Sequence, residues 1–199
     1  MNIVLVGLGG DGVVIAGRIL ARSAMKQGLD IRVGETHGLA QRGGTVISHL
    51  RIGDDAKGVI IPKGKGDVIV GFEPLETLRQ LPLLKEHGEI IMNLDPRLSY
   101  DFYSGKAQYP SLEEISRQLR NKTKLSSLQA TKIAVELGSS KFTNIVMLGA
   151  LTGSGLLPVD RKVLLDTIEQ SVPPHTVEKN IKAFEAGEVA YKTSQDHQQ

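Results

Sequence analysis

The chain has no cysteine among its 199 residues. It forms no disulfide and offers no thiolate to zinc or to an iron–sulfur cluster. If its function uses such a cluster, another chain carries it. Tryptophan is also absent and aromatics make up only 4%, so a core has to be assembled from Val, Ile, Leu and Ala. Neither sign of charge dominates. The formal net charge is +2, and no basic stripe with interleaved aromatics marks a nucleic-acid surface. The densest basic stretch, "RQLRNKTK" at 117–124, reads as a solvated helix end. The uncharged run "FTNIVMLGALTGSGLLPV" at 142–159 carries Asn144, Thr152, Ser154, three glycines and Pro158. Those residues suit a buried helix and a turn, not a membrane span. "MNIVLVGLGG" lacks the basic start and cleavage site of a secretory signal, and a cytoplasmic chain is expected.

What the chain does have is glycine, 22 of them, within a hydrophobic share of 40%. This composition and length fit one sizeable, turn-rich α/β domain. The run "NIVLVG" (2–7) has the unbroken apolar character of a strand buried on both faces. A helical pattern follows from 12 to 27, closed by Gly28, and "DIRVG" (30–34) predicts a second strand, completing a β–α–β unit. "TVISHLRIG" (45–53) alternates as a strand with one wetter face. Another short strand with a turn is expected at 58–67, a buried strand at 67–72, a helix at 74–88 ended or kinked by Pro82, and a strand at 89–95. "SLEEISRQLR" opens with Ser111 and Glu114 in capping-box spacing. Helices are expected at about 127–137, 143–152, 160–170 and 175–187, and the tail 193–199 is expected to be disordered.

Two loops carry chemistry. "GLGGDG" places Gly7, Gly9 and Gly12 in G-x-G-x-x-G spacing between a strand and a helix, with Gly10 beside them. Glycines there permit a tight turn and let a pyrophosphate approach backbone N–H groups at a helix N-terminus. Glu35, at the end of the second strand, stands where a ribose-binding acid would stand. This reading makes the chain a self-sufficient NAD(P)- or FAD-binding oxidoreductase. Against it, Asp11 sits inside the loop, where its charge opposes a phosphate, and no hydride-transfer site is evident. The glycines serve equally to bring helix and strand close together. "GDG" (10–12) also matches the start of a thiamine diphosphate metal motif, but the Asn pair that motif needs is missing, and one Asp does not hold magnesium.

The second loop, "VGETHGLAQRGGTVISHL" (33–50), gathers Glu35, His37, Gln41 and Arg42 among Gly43 and Gly44. Arg42 and Gln41 offer fork and amide donors. Glu35 and His37 offer a partner for Arg42 or an acid–base couple. In an open parallel sheet both loops lie at the carboxyl ends of strands, where ligands and partners bind. No nucleophile accompanies them, so no catalytic residue is assigned, and a recognition role suits a polar loop on a rigid scaffold. A loop whose polar groups satisfy one another remains open at this stage.

The pairing of "GLGGDGV" with "ETHGLAQRGGTVISHLRIG" resembles the gamma-type subunit of 2-oxoacid:ferredoxin oxidoreductases. "IIPKGKGDVIVGFEPLETLR" (60–79), "NIVMLGAL" (144–151) and "NIKAFEAG" (180–187) agree, so the resemblance spans nearly the whole chain. Within the family, the "GFEPLETLR" segment is most similar to the beta subunit of indolepyruvate:ferredoxin oxidoreductase. Asp11 stands where the family usually has Gln, and Leu39 where it has Met. The first change puts a phosphate contact through residue 11 in doubt. The resemblance implies a Rossmann-like open, mostly parallel sheet with flanking helices and a helical C-terminal part, forming one domain over 1–192. It implies a small non-catalytic subunit of an enzyme that oxidatively decarboxylates a 2-oxo acid, of the aryl pyruvate kind, to an acyl-CoA. Thiamine diphosphate, Mg²⁺ and [4Fe-4S] clusters are then expected on a large partner subunit, with coenzyme A as co-substrate and ferredoxin as acceptor. Glu35, His37, Gln41, Arg42, Gly43 and Gly44 would form the interface. Gly7, Gly9, Gly10 and Gly12 would hold the adjacent turn and offer a phosphate or coenzyme A contact.

Overall fold

In the computed structural model, which describes residues 1–37, 43–53, 58–97 and 108–196, the first apolar run forms β1 (Asn2–Leu8) at the middle of the sheet. Its side chains alternate between two layers of core. Ile3 and Leu5 face one layer, Val4 and Val6 the other, and all four are fully buried. The continuous apolar run is thus explained by burial on both sides. The sheet contains β2 (Ile31–His37), β3 (Thr45–Ile52), β4 (Gly66–Gly71), β5 (Leu84–Asn93) and β6 (Lys124–Leu128) in the order β2-β3-β1-β4-β5-β6. β1, β4, β5 and β6 pair in parallel, and β3 runs antiparallel to both of its neighbours. The mostly parallel, open sheet expected from the sequence is present.

One side of the sheet is covered by α1 (Val13–Lys26), α4 (Ala130–Glu136), α5 (Thr143–Gly153), α6 (Arg161–Ser171) and α7 (Val177–Asp196). The other carries α2 (Pro74–Arg79) and α3 (Leu112–Arg120). Ser111 caps α3 as its spacing predicts, accepting the Glu114 N–H at 3.1 Å. Every residue of α5 from Thr143 to Leu151 is buried, which accounts for its uncharged sequence. Gly149 and Gly187 let α5 and α7 cross at backbone distance, because a Cβ on either would overlap a carbonyl oxygen, of Phe184 and of Val146 respectively. Among the described residues no helix is long and apolar enough to cross a membrane.

Several expectations are corrected. β2 is not the neighbour of β1. β3 pairs antiparallel with β2 and occupies the place between it and β1. Residues 58–65 form no strand: Pro62 lacks a donor, and the segment instead buries Ile61. The helix expected over 74–88 stops at Arg79, passes through a 3₁₀ turn at Leu81–Leu83 that contains Pro82, and gives way to β5. No strand is expected between the helix end at 117–124 and the helix from about 127, yet residues 124–128 form β6 against β5. α7 runs on through 193–196, and Gln195 Nε2 donates to Ser126 Oγ at 2.7 Å. Residues 197–199 lie outside the described residues.

A cleft at the carboxyl edge of the sheet

The glycine turn after β1 is shaped by its own aspartate. Asp11 Oδ2 accepts the Leu8 N–H at 2.7 Å, and the Asp11 N–H donates to the Leu8 carbonyl at 3.0 Å. Gly7 leaves room for this arrangement, since a Cβ there would lie 2.8 Å from Asp11 Oδ2 and 2.9 Å from the Phe72 Cβ. Gly12 caps α1 with φ +82°, a left-handed conformation that suits glycine. A Cβ on it would also sit 3.0 Å from the side-chain nitrogen of Asn144.

The second loop reaches the first. The Gly9 N–H donates to the Gly44 carbonyl at 2.9 Å, so the two glycine-bearing bends meet although their parallel strands are separated by β3. Thr45 Oγ1 then donates to Glu76 Oε2 at 2.7 Å, tying the start of β3 to α2. Glu35 and the backbone of His37 belong to the edge strand β2, where Glu35 is exposed. Two strand spacings of about 4.8 Å therefore separate this acid's strand from the glycine turn. A ribose-binding acid belongs on the strand next to β1, and β3 fills that place. Gly43 has φ +76° and lies beside Gly44. Gln41 and Arg42 lie outside the described residues.

Between the glycine turn and the next strand ends opens a cleft of about 300 Å³, lined by Gly10, Asp11 and Gly12 on one side. Phe72, Asn93, Asp95 and Arg97 enter from the ends of β4 and β5, and Thr131, Ser140, Lys141, Thr143 and Asn144 from the starts of α4 and α5. Asn93, 1% exposed, is fully engaged. Its Nδ2 donates to the Phe72 carbonyl (3.1 Å) and to Thr131 Oγ1 (2.9 Å), and its Oδ1 accepts the Thr131 N–H (3.2 Å). Arg97 reaches Asp11 at 3.0 Å. Burial pushes the Asp11 carboxyl up, and the Asp95 and Glu76 charges add to this. The Leu8 N–H and Arg97 oppose it.

A second buried carboxylate supports this wall. Glu73, 1% exposed, accepts the Glu76 N–H at 2.8 Å and so caps α2. Its other oxygen accepts the Tyr109 hydroxyl and the Arg97 N–H, the latter at 3.3 Å. Burial raises its pKa above the ordinary carboxylate range, and burial beside Glu73 raises that of Tyr109. None of Asn93, Arg97, Glu73 or Tyr109 was singled out from the sequence. Glu73 and Asn144 lay within quoted motifs, but nothing local marks a residue that works only after β4, β5 and α5 have converged. Among the described residues no three His, Asp or Glu side chains gather as a metal ion would require. The Asp11 carboxylate, taken up by Leu8 and Arg97, does not fit the metal role that "GDG" suggests.

An open α/β sheet with a glycine turn after its first strand and a polar cleft at its carboxyl edge defines the class: a Rossmann-like α/β domain. Residues 2–189 match the family model for pyruvate ferredoxin/flavodoxin oxidoreductase, and the chain belongs to that family. It is 42% identical to indolepyruvate oxidoreductase subunit IorB of Pyrococcus horikoshii over 193 residues, 96% of each chain. The gamma subunit of a keto/oxoacid ferredoxin oxidoreductase from Geobacter sulfurreducens shares the fold with a TM-score of 0.70 at 23% identity, covering 96% of this chain and 98% of that one. A solved 2-oxoglutarate:ferredoxin oxidoreductase from Magnetococcus marinus contains the same fold within a longer chain, with a TM-score of 0.73 at 17% identity, covering 97% of this chain and 31% of that one.

Proposed function

We propose that this chain is the small subunit of a 2-oxoacid:ferredoxin oxidoreductase of the indolepyruvate type, forming one gamma-type domain over residues 1–192. The observation that carries the reading is the Gly9–Gly44 hydrogen bond, which joins two bends into one rim beside the cleft. A partner subunit docks on that rim through Glu35, His37, Gln41, Arg42, Gly43 and Gly44. The turn of Gly7, Gly9, Gly10 and Gly12 forms one wall of the approach for coenzyme A. Thiamine diphosphate with Mg²⁺ supplies the carbanion chemistry and [4Fe-4S] clusters carry the electrons to ferredoxin, all on the large subunit. This chain has no thiolate for a cluster, and its Asp11 carboxylate is already engaged by Leu8 and Arg97. Its own residues bind, orient and enclose.

Purification from the native cells tests this. The chain is expected to co-elute with a cysteine-rich, thiamine-dependent subunit, and the complex to reduce ferredoxin with an aryl pyruvate and coenzyme A. A chain that elutes alone, or that turns over substrate without a partner, overturns it.

A further inference from the structure

The Glu73 carboxylate is buried where three segments remote in the chain meet. Its Oε2 accepts the Glu76 N–H at 2.8 Å, at the start of α2. Its Oε1 accepts the Arg97 N–H at 3.3 Å, from the chain after β5, and the Tyr109 hydroxyl, from the chain before α3. The Tyr109 oxygen in turn accepts the Leu75 N–H at 3.3 Å, so the first turn of α2 is held from both sides. A helix of six residues has little stability of its own, and its place depends on such end contacts. α2 then passes this placement on. Glu76, also buried, accepts Thr45 Oγ1 at 2.7 Å and Arg79 Nη1 at 2.6 Å. Thr45 follows Gly44, whose carbonyl accepts the Gly9 N–H at 2.9 Å. Hydrogen bonds and one short helix thus run unbroken from Tyr109 and Arg97 to the join between the two glycine-bearing bends.

We propose that Glu73 is a positioning residue for the docking rim: its two-sided carboxylate places α2, and α2, through Glu76 and Thr45, holds the Gly44 bend against the Gly9 bend. The chemistry of the group matters as well as its length. Both Glu73 oxygens face backbone N–H donors, and a carboxylate accepts on both sides at once. An amide of the same shape accepts on one side only and presents a donor on the other. It keeps the cap on α2 and loses the link to Arg97 and Tyr109. The placement of the bends belongs to this chain alone, whereas its use in docking rests on the function proposed above.

The test reads the Gly9 amide, which is remote from Glu73 in the chain. Hydrogen exchange of the full chain, followed by NMR, is expected to speed up at Gly9 by about tenfold in Glu73→Gln. Tyr109→Phe removes the same link without touching the α2 cap, should act in the same direction, and decides the matter if Glu73→Gln does not fold. Thr45→Val cuts the last step of the relay. Its effect at Gly9 and that of Glu73→Gln should not add in the double variant, because both break one series of contacts. A residue that merely caps α2 would speed exchange at Glu76 and Thr77 and leave Gly9 as it was. Unchanged exchange at Gly9 in Tyr109→Phe or in a folded Glu73→Gln, or effects of Glu73→Gln and Thr45→Val that add, overturns the positioning role. The Kd of the full chain for the large subunit purified from native cells should rise about tenfold in Glu73→Gln. Equal binding by the native chain and Glu73→Gln overturns the role in docking. If Gly9 responds as expected but the native chain does not bind the large subunit, only the function proposed above is lost.

Discussion

The Arg97 guanidinium lies 3.0 Å from the Asp11 carboxylate, which is itself almost wholly buried while Arg97 is half exposed. One pair thus joins the chain beyond β5 to the turn after β1. The Arg97 N–H binds Glu73, and Asp11 binds the Leu8 N–H, so the ends of three parallel strands share one network. Burial of Asp11 costs more than these partners return, which is why its pKa lies above the usual 3.8.

Asp11→Asn is expected to raise the melting temperature at neutral pH. The native chain holds the Asp11 proton more tightly than the unfolded chain does. The group's contribution to stability is therefore complete below 3.8 and is lost as pH rises through the raised native value. Asn keeps an acceptor for Leu8 and removes the buried charge. Melting followed by circular dichroism across pH should show a gain that vanishes in acid. A lower melting temperature at neutral pH would show that the Arg97 pair outweighs desolvation.

His49 titrates in the opposite sense. It is buried in β3, its Nδ1 facing the Ile61 N–H at 3.4 Å, and burial pulls its pKa below 6.5. The unfolded chain binds this proton first, so stability falls as pH drops below 6.5 toward the lowered native value. Chemical denaturation of His49→Gln should show a shallower loss over that window than the native chain.

Gly149→Ala should destabilise far more than Gly10→Ala. A methyl at 149 overlaps the Phe184 carbonyl across the α5–α7 crossing and costs about 3 kcal/mol or more. At Gly10, φ is +105° but the space is open, leaving a strain cost of about 1–2 kcal/mol. Urea midpoints of the two variants give the order.

Tyr191→Phe tests how α7 is fastened. The Tyr191 hydroxyl donates to Glu89 Oε1 at 2.6 Å, and Lys124 Nζ lies 3.1 Å from it and 3.2 Å from Glu89 Oε2. Ser126 Oγ also reaches Glu89 Oε1 at 3.1 Å. Removing one hydroxyl from this buried set should cost about 1–3 kcal/mol and speed hydrogen exchange in the last turns of α7. Unchanged exchange there would mean that the apolar contacts of Phe184 and its neighbours fasten the helix alone.

Some of this architecture is carried by short-range pattern. The run at 2–7, the Gly-bounded helix after it, the buried strand near 67–72 and the Ser111 cap each have a cause lying within a few residues: an apolar period, a glycine, a side-chain acceptor at the right offset. Other elements have no such local cause. "KLSSL" becomes β6 only because β5 offers an unpaired edge and α7 supplies Tyr191 and Gln195 to its polar side chains. The start of β5, with His87 at φ +58°, is strand only through its pairing with β4.

The amino-acid sequence by itself determined that the domain is α/β, that no thiolate chemistry resides in it, and that two glycine-bearing bends stand at strand ends. Composition and local periodicity suffice for those, because each depends on residues close along the chain. Tertiary structure alone decided that β3 comes between β1 and β2, that the bends nevertheless join through Gly9 and Gly44, and that Asp11, Arg97 and Asn144 face one cleft. Those residues lie far apart in the chain, and only burial of both faces of the sheet, with the hydrogen bonding this forces on buried polar groups, brings them together.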